Sequence, residues 1–69
     1  MTTAPAERTG VLVIRAWVEG DPPGLRLRIT FTDDIATRRE DSVVAASVDE
    51  AVEIARRWLE TFAGRAAEP

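Results

Sequence analysis

Between Leu25 and Thr32 the residues alternate without a break. Leu25, Leu27, Ile29 and Phe31 share one parity, and Arg26, Arg28, Thr30 and Thr32 share the other. A period of two puts one set on each face of an extended strand, the pattern of a strand with one side on a core and one in water. The Asp21-Pro22-Pro23-Gly24 cluster just before it reads as a turn, because Pro fixes φ and Gly takes backbone angles that other residues avoid. Upstream of the turn, Leu12, Ile14, Ala16 and Val18 make a matching apolar face, with Val13, Arg15, Trp17 and Glu19 opposite. Two such strands joined by a short Pro-Gly loop predict an antiparallel hairpin.

The rest of the chain supplies one more strand and a helix. Thr32 to Asp41 is a polar connection in which Ile35 is the one large apolar residue, expected to pin the loop to the core edge. Ser42-Val43-Val44-Ala45-Ala46 reads as a third strand, and nothing in its pattern decides which way it faces. Ser47-Val48-Asp49-Glu50 is a capping box, in which the Ser hydroxyl accepts from the third helical amide and Glu50 reaches back. In the helix that follows, Val48, Ala51, Val52, Ala55, Trp58, Leu59 and Phe62 form one stripe, expected to cover the sheet. Ile54 sits off that stripe, the one helical residue free to touch something else. Glu53 and Arg57 make an i,i+4 pair, and Gly64 is the expected stop.

The order strand, strand, strand, helix predicts an α+β fold: a three-stranded antiparallel meander with a C-terminal helix packed on one face (βββα). The expected divisions are a flexible tail over residues 1–10, one domain over 11–63 and a flexible tail over 64–69. The expected core is Leu12, Ile14, Val18, Leu27, Ile29, Phe31 and the helix stripe.

Composition narrows the chemistry. The 69 residues include no Cys and no His, and reading along them there is also no Lys, Tyr, Asn or Gln. A chain this short lies near the lower size limit for one core, and without Cys it has no disulfide or thiolate metal site to lean on. General acid–base work near neutral pH falls mostly to His, Lys, Tyr or a tuned carboxyl, and a Ser nucleophile needs a base beside it. Ser47 has its capping role instead. The expectation is therefore no enzyme, no cofactor, no metal and no small-molecule substrate. The acidic pairs Asp33-Asp34, Glu40-Asp41 and Asp49-Glu50 lack the alternating Asp, Asn and Gly of a calcium loop, and read as a turn, a solvated loop and a helix start. No apolar leader or membrane-length stretch is present, so a cytoplasmic location is the default expectation.

The candidate site is the outer sheet face. Any register that keeps like faces together sets Trp17 opposite Arg26 or Arg28, with Arg15 two residues along the same strand and Val13 nearby. Three readings of Val13, Arg15, Trp17, Arg26 and Arg28 stand side by side. The guanidiniums stack over Trp17 and cover it from water. The face anchors another protein or a second copy, since Trp and Arg are enriched at binding hot spots. It grips nucleic acid, as some sheet readers do, against a net charge of −3 that is not that of a basic domain.

Arg15-x-Trp17, Arg26-x-Arg28 and a following helix resemble the sheet-reading DNA-binding domains of plant ethylene-response factors and the arm-binding domains of phage integrases. That likeness covers the first two strands and implies a DNA-contacting sheet face. Size and element order also resemble the MbtH-like partners of peptide synthetases, whose Ser-Leu-Trp-Pro segment has no counterpart here. Over about residues 11–62 the chain is similar to short high-GC bacterial β-β-β-α proteins of no assigned function, on the strand Arg15-x-Trp17 and the helix opening Ser47-x-Asp49-Glu50. That resemblance implies the fold alone. The leading expectation is a small non-catalytic interaction module, self-associating through the face around Trp17, with nucleic-acid binding by the same face as the alternative.

Overall fold

A computed structural model of the chain describes residues 8–67. Three strands, β1 (Val11–Glu19), β2 (Gly24–Thr32) and β3 (Asp41–Ala45), form an open antiparallel sheet in the order β1-β2-β3, and one helix, α1 (Val48–Ala67), follows. This is the expected α+β, βββα architecture.

The hairpin ladder is unbroken from Val11–Thr32 to Glu19–Gly24. Gly20 turns the chain out of β1 at φ 98°, a left-handed backbone that favours glycine. Leu12, Ile14, Ala16 and Val18 fall opposite Phe31, Ile29, Leu27 and Leu25, so like faces stay together as the alternation required. β3 joins with Val43 opposite Ile29 and Ala45 opposite Leu27. Its facing is thereby settled: Val43 and Ala45 point inward, while Ser42 and Val44 share the outer face.

The core is small. Leu27, Ile29, Ala45 and Ala51 are buried, Ile29 completely, with Leu12, Leu25, Phe31, Val43 and Ile54 packed around them. Two members of the expected core fall outside it: Ile14 remains 44% exposed and Val18 64%. The helix stripe is also turned from its expected facing. Ala51, Ile54, Ala55, Trp58 and Phe62 are buried or half-buried, whereas Val48, Val52 and Leu59 stay exposed. Ile54, expected to be free, is a core neighbour.

One cause explains these differences. Only Ala46 and Ser47 separate β3 from α1, so the helix must begin beside β3, the strand farthest from β1. Ala51, with a single methyl, lets the helix settle onto Leu27 and Ala45 at that side. Only farther along does α1 reach the start of the hairpin. There the Trp58 ring lies 6.5 Å from Phe31 and stacks on Phe62 at 5.2 Å.

The helix start follows the capping box closely. The Glu50 amide donates to Ser47 Oγ at 3.1 Å, and Glu50 Oε1 accepts from the amide of Ala46, one residue before the cap. Glu53 and Arg57 pair at 2.9 Å as expected. Gly64 does not end the helix, which runs on to Ala67.

Of the expected N-terminal tail, residues 1–7 lie outside the described residues, but 8–10 are packed. Arg8 stacks over the Phe62 ring at 4.6 Å and donates to the Phe62 carbonyl at 3.3 Å. Gly10 lies against the same ring, where a Cβ would sit 2.7 Å from Phe62 Cε1. Ile35 anchors its loop by another route than expected. Its side chain is 54% exposed, and it is the backbone amide that donates to Thr9 O at 3.0 Å. Asp33 completes the tie, accepting from Trp58 Nε1 at 2.9 Å and from Arg65 at 3.2 Å.

Candidate interaction face

The outer face of the sheet is built by the odd-numbered residues of β1 and the even-numbered residues of β2 and β3. Trp17 lies opposite Arg26, Arg15 opposite Arg28, and Val13 opposite Thr30. Across β2, Arg28 faces Val44 and Thr30 faces Ser42. All five expected residues therefore share one surface, and β3 extends it with Ser42 and Val44. Those two were beyond sequence reasoning, because a five-residue strand with two adjacent valines gives no parity.

Each polar group on this face has a local role. The Arg15 guanidinium stacks over the Trp17 ring at 5.2 Å, a cation–π contact. Trp17 Nε1 donates to Glu19 Oε1, two residues along the same face. Arg26 folds back to donate to Leu25 O at 3.0 Å, and Arg28 donates to Ser42 Oγ at 3.3 Å. None of Arg15, Arg26 and Arg28 pairs with a carboxylate among the described residues, where ion pairs join only Arg56 and Arg57 to Glu53 and Arg65 to Asp33. Arg15 and Arg28 stand directly across from each other, a placement that repels. Val13 and Val44 add exposed apolar surface.

Charge is thus segregated. The three Arg and Glu19 give this face a charge of +2, which leaves −5 over the remainder of a chain of net charge −3. Trp17 is half-buried beneath its neighbours rather than open to water.

Concavities lie elsewhere on the molecule, and two bear on function. One is an apolar groove of about 570 Å³ between α1 and the inner side of β1, lined by Ile14, Leu27, Val52, Ala55 and Leu59 among others. The other is a polar cleft at the sheet end, lined by Asp33, Asp34, Glu40 and Asp41 with Arg8, Arg39 and Arg65, of which Arg65 pairs with Asp33. Among the described residues no group of three His, Cys, Asp or Glu is placed to hold a metal, and no helix is long and apolar enough to cross a membrane. No protein-family model, curated protein or solved structure matches the chain.

Proposed function

We propose that this chain is a small non-catalytic interaction module that self-associates through the surface centred on Trp17. The observation that supports it is the gathering of Trp17, Val13, Val44 and three Arg without carboxylate partners on one sheet face, with the helix entirely on the other. Two of those cations are set directly against each other, so a partner bringing acceptors or an aromatic surface relieves strain that the monomer bears alone. Trp and Arg are also the side chains that most often carry binding energy once water is excluded.

Sedimentation over a concentration series tests this reading. The expected result is a shift toward twice the 7.6 kDa of one copy at micromolar concentration, lost in Trp17→Ala. A strict monomer at high concentration would remove the self-association reading.

The same three cations favour nucleic acid as the second reading, since guanidiniums ranged along a sheet can track phosphates. Duplex DNA bound at micromolar affinity, weakening steeply with salt and with Arg28→Ala, would promote that reading over the first.

A further inference from the structure

We infer that the second copy joins edge to edge: two β1 strands pair antiparallel about a two-fold axis at Ala16, making a continuous six-stranded sheet. The inference rests on the self-association proposed above and specifies its geometry.

β1 is the open edge best suited to this. Nine residues long, it carries no Pro, its only charges are Arg15 and Glu19 on the outer side, and its unbroken register with β2 leaves no bulge to twist it away. Proline, inward-pointing charges and bulges are among the usual devices that keep an edge from pairing. β3, the other edge, has only five residues.

Side-chain parity then selects the register. A two-fold axis normal to the sheet keeps outer face with outer face, so an odd residue must oppose an odd one and an even residue an even one. Centring on Arg15 sets Arg15 on its own copy, with Arg28 behind each, four guanidiniums in a row. Centring on Ile14 leaves Val18 beyond the paired segment. Centring on Trp17 pairs only five residues. Centring on Ala16 pairs Val13 through Glu19.

In that register Arg15 faces the second copy's Trp17, with the second copy's Glu19 on one diagonal and its Arg15 on the other, each farther off than a directly opposed residue but within reach of a long side chain. Arg15, which in the monomer stacks on its own Trp17 but has no carboxylate partner among the described residues, thereby gains an opposite charge. On the inner side Ile14 faces the second copy's Val18. Val18 lies past the start of its own helix and stays 64% exposed, while Ile14 forms the floor of the open apolar groove. Each copy thus supplies the side chain that the other's groove lacks. Seven residue pairs make a small interface, at or below the total of about 1,000 Å² that stable specific contacts clear, so the dimer is a weak one.

Two surface substitutions and one crosslink decide it. Val18 and Val44 are both more than half exposed, so Val18→Lys and Val44→Lys leave the monomer folded, as circular dichroism will verify. Val18→Lys should abolish sedimentation as a dimer, because it puts a charge against Ile14 at the shared edge. Val44→Lys, on β3, should leave the dimer intact. The chain has no native cysteine, so Ala16→Cys introduces a single thiol. Opposed residues in an antiparallel pair have Cα atoms 4.5–5.5 Å apart, within disulfide range, and mild oxidation should give a covalent dimer. If Val44→Lys breaks the dimer and Val18→Lys does not, the outer faces stack and edge pairing is overturned while self-association stands. If Val18→Lys breaks it but Ala16→Cys does not crosslink, the Ala16-centred register is overturned. A wild-type monomer overturns both this inference and the reading beneath it.

Discussion

At one end of the hairpin Phe31 meets Trp58 and Gly10 meets Phe62, while near the other end Val18 points to the same side and remains largely in water. The two ends share one ladder, one parity and equally apolar residues. They differ in where the helix passes. Alternation decides which face a side chain takes, but the tether from β3 decides which part of that face gets covered. The same sheet side is therefore a core over β2, β3 and Leu12 and an open apolar surface along β1 from Ile14 to Val18.

The sharpest way to break this contrast is to shorten one inward side chain in each region. Ile29→Ala removes the one fully buried large residue and should cost about 2–5 kcal/mol in denaturant unfolding. Val18→Ala, measured at protein concentrations too low for association, should cost less than about 0.5 kcal/mol. Equal losses at the two sites would mean that α1 reaches across β1 after all. Gly10→Ala comes next, because its methyl meets the Phe62 and Trp58 rings. Overpacking of this kind costs about 1–3 kcal/mol, and a thermal melt unchanged from wild type would show that the covered end tolerates looser contact than described. Ser47→Ala should lower stability by about 1 kcal/mol, a melting shift of roughly 4–8 °C for a domain of this size, by removing the cap that starts the helix beside β3.

Most of the architecture is legible in local pattern. The strict parity of Leu25 to Thr32 defines the hairpin and both its faces, and Ser47 to Glu50 marks the helix start within a residue. The outer grouping of Trp17 with Arg15, Arg26 and Arg28 follows from that parity as well. Helix rotation is another matter. With Ile54 added to the seven residues of the expected stripe, the apolar surface of α1 is wider than the sheet can cover, and whether Ile54 or Val52 turns inward depends on a two-residue tether and on how closely Ala51 approaches the sheet. Both are tertiary facts that periodicity does not carry. Arg8 and Gly10 lie hidden, and Ile35 is expected to anchor its loop by its side chain, for a related reason. They act through a stacked guanidinium, a missing Cβ and a backbone amide, none of which depends on being an apolar residue at a regular spacing.

The contact between Arg8 and Phe62 joins positions 54 residues apart. The hairpin, by contrast, closes on a turn of four residues, a far shorter loop. Bringing Arg8 to Phe62 closes a loop nearly as long as the domain, a step whose entropic cost is recovered only once α1 already lies on the sheet. Chain closure at this pole is thus expected late in folding. By the same reasoning it is the first to reopen, and native-state hydrogen exchange should find the Ile35 amide, bonded to Thr9 beside that closure, exchanging ahead of the amides of Leu27 and Ile29.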